Sequence, residues 1–187
     1  ASRSLSPDAY FGLRRHPYST DMTKNGLMFR HITNGAALPN TPRAQAPGGN
    51  AEVHNAGEVW STMMWEVYVA LHKAGKMNGQ TFDAVRRKMA DYVVGGLSMT
   101  PTDATFTEQR DALLAAAYAA DPADALLLAE GFAARGAGSC AVSPPKSDSG
   151  QLGVVESFEV APNVAVTAVT LDDGLTSCDQ DGRLDRD

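Results

Sequence analysis

The chain has 187 residues, enough for one domain or one domain with a further segment, and its 43% hydrophobic and 20% charged content is that of a protein that builds a core. A net charge of -6 removes the attraction that a nucleic-acid or anionic-membrane binder uses, so neither partner is expected. Two cysteines permit one bridge and, at their spacing, no structural zinc site, and no run approaches the roughly 20 apolar residues of a membrane span. The start, from Ala1 to Pro7, lacks the features of a signal peptide and an initiator Met, which reads as numbering that begins inside a longer precursor.

Residues 1–53 are rich in Pro, Asn, Gly and Thr, with punctuation at Asn25 Gly26, Pro39 Asn40 and Pro47 to Gly49, and read as long ordered loops beside a larger body. Helices follow. Trp60, Met63, Met64, Val67 and Leu71 fall on one helical face, and the helix is expected to stop at Gly75. Phe82, Val85, Met89, Tyr92 and Val93 repeat the pattern after Thr81, an N-cap, with Gly95 Gly96 as the expected stop. A third helix begins at Thr105, where Glu108 completes a capping box, and reaches Tyr118. Asp121 caps a fourth, Pro122 takes its first position, and Gly136 to Gly138 ends it. The expected core joins Trp60, Met63, Val67, Leu71, Val85, Met89, Leu113, Leu128 and Phe132.

Residues 139–150 have a linker's composition, and 151–187 read as a β segment or the start of a following domain. Val154–Val160 and Val164–Leu171 would be two strands split by Pro162 Asn163. The class expected is therefore mainly α, a loop-rich N-terminal part and a four-helix lobe within 1–138, with a short β segment after it.

The catalytic signatures H-E-x-x-H, G-x-S-x-G, the Walker loop and the dinucleotide fingerprint are missing. Chemistry is densest from Glu52 to Trp60, where the Gly-rich loop meets the first helix. An imidazole at a helix N-terminus, beside the positive end of the dipole, suits a neutral hydrogen-bond donor, and His54 stands there. His54 and Glu58, four apart, would share a face and could serve as a metal pair, the alternative being a capping His54 and a solvated Glu58. Glu66, between Trp65 and Val67, reads as a structural carboxylate. His16, His31 and His72 have no acidic or thiol partner at ligand spacing and read as structural.

The run from His54 to Glu66, HNAGEVWSTMMWE, resembles the "VHxxGEVWATMLWE" helix of fungalysin-type zinc metalloendopeptidases. His16 to Met22, HPYSTDM, is similar to the family's "YPYSTDM", and Phe106 to Leu113 with Gly131 to Gly136 resembles its "F..ARDAIL … FAKRGLG" ending. The three matches are collinear over roughly 10–138. The resemblance implies the carboxyl-side lobe of a thermolysin-like catalytic domain in a secreted, extracellular protease acting on proteins or peptides. The zinc, its H-E-x-x-H helix and its third ligand would lie upstream of Ala1, so the partner of this chain would be the zinc-binding half of the same precursor. His54 is the residue that carries a role over, as the histidine that stabilises the tetrahedral intermediate in thermolysin relatives. The aspartate that orients that histidine falls at Gly49 here, so the resemblance names no orienting partner. A non-catalytic helical binding or structural module without the zinc-binding half is the other class, and the sequence before Ala1 discriminates the two.

The acidic tail holds Asp179, Asp181 and Asp185 around Gly182, alternating carboxylates of the kind calcium requires, in an incomplete match to an EF-hand loop whose alternative is a solvated turn. Cys140 and Cys178 flank the β segment and could staple it to the helical lobe, as an extracellular location permits.

Overall fold

The computed structural model describes residues 14–39 and 48–161. A 3₁₀ turn at Phe29–Ile32 is followed by four helices, α1 (Val53–Met77), α2 (Phe82–Met99), α3 (Phe106–Ala120) and α4 (Pro122–Ala133). The class is mainly α with a loop-rich N-terminal part. α1 lies against α4, α2, and the 3₁₀ turn, and α3 packs on both α2 and α4.

The caps written into the sequence form. The Thr81 hydroxyl accepts the Ala84 N–H, and Asp121 accepts that of Ala123. Thr105 and Glu108 exchange both bonds of a capping box, the Thr105 N–H reaching Glu108 Oε2 at 2.7 Å. Burying the aligned apolar faces then makes one core from Val59, Met63, Val67 and Leu71 of α1, Val85 and Met89 of α2, Leu113 of α3, and Leu128 and Phe132 of α4. Trp60 lies at its edge, half-buried, with ring centroids 5.7 Å from Phe132 and 6.1 Å from Phe106. The N-terminal part adds Leu27, Phe29 and Ile32, all fully buried, which periodicity could not find because a loop and a single 3₁₀ turn are too short to show one.

Two helix ends differ from expectation. α2 runs through Gly95 and Gly96 to Met99. A Cβ on Gly96 would stand 2.9 Å from the Leu113 Cα, and one on Gly95 3.1 Å from the Ala116 Cβ, so these glycines allow α2 and α3 to approach and do not end the helix. The stop comes at Thr100, whose hydroxyl bonds the Gly96 carbonyl at 2.7 Å, followed by Pro101, which disfavours helical backbone before it. α1 likewise passes Gly75, which faces Val85, and stops two residues later. α4 ends at Ala133 in a further turn, with Gly136 at φ +82° and the Ala137 N–H on the Phe132 carbonyl at 3.0 Å.

Residues 137–161 form an extended arm folded back on the helices. The expected strand over 154–160 is replaced by two isolated bridges, Val142 with Val155 and Ala137 with Ser157. The two bridges run in opposite senses, antiparallel at Val142 and parallel at Ala137, so they do not join into one ladder. Within 139–150, Ala141 is buried and the Ser143 hydroxyl accepts the Thr107 N–H at 3.0 Å. Val164–Leu171 lie outside the described residues.

Candidate functional site

The first turn of α1 is held by a carboxylate that the sequence pattern passed over. Glu52 is the N-cap, and its Oε2 accepts the backbone N–H groups of His54 at 2.9 Å and Asn55 at 3.2 Å. Its other oxygen, Oε1, meets His54 Nδ1 at 2.7 Å. The hydrogen bond from His54, the largest influence, holds the Glu52 carboxyl below its usual range. One side chain thus caps the helix and fixes the imidazole. The His54 side chain is 73% exposed, and its Nδ1 edge is the one turned to Glu52.

The loop that delivers Glu52 is tied down residue by residue. The Asn50 amide donates to the carbonyls of Thr33 (3.0 Å) and Ala36 (2.7 Å), Asn34 Oδ1 accepts the Ala51 N–H at 2.9 Å, and the Asn55 amide reaches the Gly49 carbonyl at 2.9 Å. Beneath it, Arg15 donates to Glu58 Oε2 at 2.7 Å, Asn50 Oδ1 at 3.0 Å and the Asn55 carbonyl at 3.0 Å. Glu58 is therefore neither solvated nor turned to His54. Its Oε1 accepts the His16 N–H at 2.7 Å, and the Arg15 and Glu58 side chains are 5% and 1% exposed. His54 and Glu58 do not come together as a metal pair, because Arg15 and the His16 N–H take the two oxygens of the buried Glu58.

A second arginine joins the remaining stretches. Arg135, fully buried, donates to Glu66 Oε2 and to the carbonyls of Ser19 (2.8 Å), Asn25 (2.6 Å) and Leu27 (3.2 Å). Glu66 is thus a structural carboxylate. Asn25 extends the joint, its amide bonding the Pro17 carbonyl at 2.8 Å and Thr62 Oγ1 at 3.1 Å. Of the stretches that carry the resemblance, 16–22, 54–66 and 131–136 meet through Arg135 and the Arg15–Glu58 pair.

The other histidines stand away from Glu52. His16 and His31 are buried, and desolvation is the main cause that lowers both, His31 to about 4. His31 Nδ1 accepts the Met28 N–H at 2.7 Å. His72 lies between the rings of Tyr68, at 4.4 Å, and Phe82, at 4.5 Å. Arg15, Arg135 and Glu52 were missed because an arginine's buried partners are distant in sequence and because Glu is not a favoured cap. The signal available was Glu52 itself, two residues before His54.

Among the described residues no group of three or more His, Cys, Asp or Glu is placed to hold a metal ion, so the residues in view do not fit a zinc site. Asp179, Asp181, Asp185 and Cys178 lie outside the described residues. No described helix is long and apolar enough to cross a membrane.

A profile of the family described as Fungalysin metallopeptidase (M36) matches residues 4–141. Over 148 residues the chain is 32% identical to Extracellular metalloproteinase 1 of Trichophyton equinum, covering 74% of this chain and 22% of the relative. It is 31% identical over 136 residues to Extracellular metalloproteinase mep of Aspergillus terreus, with 68% and 19% covered. A similar match, 30% over 138 residues, is made to Extracellular metalloproteinase 2 of Arthroderma gypseum. The chain spans about a fifth of the length of these relatives.

Proposed function

The chain belongs to the fungalysin metallopeptidase (M36) family, and from that premise we propose that it is the carboxyl-side portion of an extracellular zinc metalloendopeptidase acting on proteins or peptides. It would supply walls of the substrate cleft and one oxyanion-stabilising side chain, His54. Zinc and its ligands would belong to the other half of the same precursor, since the described residues offer no ligand cluster.

The observation that carries the reading is the 2.7 Å contact between Glu52 and His54 at a solvent-facing helix start. A carboxylate accepts, so Nδ1 carries a proton toward Glu52. With Nδ1 engaged by Glu52, Nε2 is the nitrogen left to meet the oxygen that gains charge as a peptide carbonyl becomes tetrahedral. Glu52 takes the orienting place that Gly49 could not fill.

Replacing His54 with Ala in the full-length protein tests this. One oxyanion donor is worth about 100-fold or more in kcat, so kcat should fall by that much with metal content and thermal midpoint unchanged. Retention of more than about a third of kcat, under about 1 kcal/mol, would reduce His54 to a surface side chain at the helix start.

A further inference from the structure

The side of α1 that carries His54 continues as a row of rings. His54 and His72 are 18 residues apart on α1, about five turns of helix, so they leave it on the same side. Between them that side carries Gly57, Ser61, Met64, Trp65, Tyr68 and Val69, none of them charged. Glu58, close to the same direction, is sealed under Arg15. Tyr18 stacks on Trp65 with ring centroids 6.1 Å apart, Trp65 meets Tyr68 at 5.7 Å, and His72 links Tyr68 to Phe82 at the start of α2. The outer rings stand in solvent: Tyr18 is 47%, Trp65 36% and Phe82 62% exposed.

We infer that this face of α1 is the surface on which the zinc-binding half of the same precursor docks, with Trp65 and Tyr18 at its centre. The inference rests on the reading above, which places the zinc ligands in that half. Three observations select this occupant. First, the face is continuous with the site. A half that brings its metal to the oxygen met by His54 lies against the His54 end of α1, and the next surface it reaches along the helix is the row of rings. Second, the composition fits. Interface cores are poor in charge and rich in Trp and Tyr, and rings that already stack on one another lose little side-chain freedom when a partner covers them. Third, the size discriminates. The row is about 27 Å long and one helix wide, about 10 Å, which is roughly a third of what a stable interface between separate chains buries on each partner. A second copy would find too little to hold it, whereas a half joined covalently to this one binds at a high effective concentration and needs less area. The chain spans about a fifth of the relatives' length, so in them most of the polypeptide lies outside the stretch matched here.

The test is made on the full-length protein. Hydroxyl-radical footprinting, which needs no substitution, should modify Tyr18, Trp65 and Phe82 as little as the buried Phe132, and the protection should persist on dilution. With p-benzoylphenylalanine in place of Trp65, photo-cross-linking should join this position to peptides of the same molecule outside residues 1–187. Rings modified as freely as their exposure here allows would overturn the inference, as would protection that disappears on dilution or cross-links confined to residues 1–187, to a second copy or to an added substrate peptide. His54→Ala keeps the two readings apart: a large fall in kcat beside freely modified rings would overturn the docking face and leave the role of His54 standing.

Discussion

Glu52 and Glu58 stand six residues apart at the start of α1, and each meets a basic side chain at 2.7 Å. The Glu52 and His54 side chains are 30% and 73% exposed, whereas those of Glu58 and Arg15 are nearly sealed from water. An exposed pair is screened and contributes little to stability, so its carboxylate is free to set the orientation of a reactive group. A sealed pair must satisfy every polar atom, and Glu58 does so with Arg15 and the His16 N–H. The same residue type on the same helix thus frames the fold in one place and, on our reading, serves chemistry in the other.

Breaking the sealed pair should have the largest effect. Glu58→Ala leaves the Arg15 guanidinium buried without its carboxylate, and such losses cost about 3 to 5 kcal/mol. Denaturant titration measures this, and a loss below about 1 kcal/mol would show that the pair behaves as a surface one. Core truncation comes next. Leu71, 2% exposed in α1, should cost about 2 to 5 kcal/mol on replacement by Ala.

These two sites also mark how far the sequence could be read. Leu71 was legible, as were Thr81, Thr105 with Glu108, and Asp121 with Pro122, because a helix face and its caps are local patterns. Gly95 and Gly96 were misread as a stop since their reason lies on α3, at Leu113 and Ala116. The arginine joints were illegible for the same cause in stronger form: Arg15 and Glu58 are 43 residues apart, and Arg135 and Glu66 are 69 apart. Glu52 and His54 both stood in the densest run of the sequence; the role of His54 came through resemblance, and its contact with Glu52 needed the structure.

The contrast between buried and exposed extends to the histidines, and pH exposes it. The folded-state value of His31 is lowered from 6.5 to about 4, mainly by burial. Between those values the unfolded chain binds the proton that the folded chain refuses, so the stability present above pH 6.5 should decline as pH falls toward 4. His31→Asn keeps an acceptor for the Met28 N–H and removes the titration. Thermal midpoints at pH 7 and pH 4.5 should differ less in this variant than in the parent, and an unchanged difference would assign the acid sensitivity to other groups.

The smallest effect should come from the exposed pair, with Glu52→Gln. Glutamine has one carbonyl oxygen where Glu52 uses two: Oε2 for the N–H groups of His54 and Asn55, and Oε1 for His54 Nδ1. It can keep the cap or hold the imidazole, and one oxygen does not serve both. Loss of a cap costs about 0.5 to 2 kcal/mol, so the midpoint should shift slightly. Activity in the full-length protein should respond differently. Without the carboxylate the imidazole loses the contact that orients it, and kcat should fall with little change in KM. The acid side gives an independent check. Glu52 is held below its usual range by His54, so its contribution is present above the unfolded value of about 4.5 and is lost only as pH falls through the lower folded one. An unchanged kcat in Glu52→Gln would separate Glu52 from the reaction and leave it as the cap of α1.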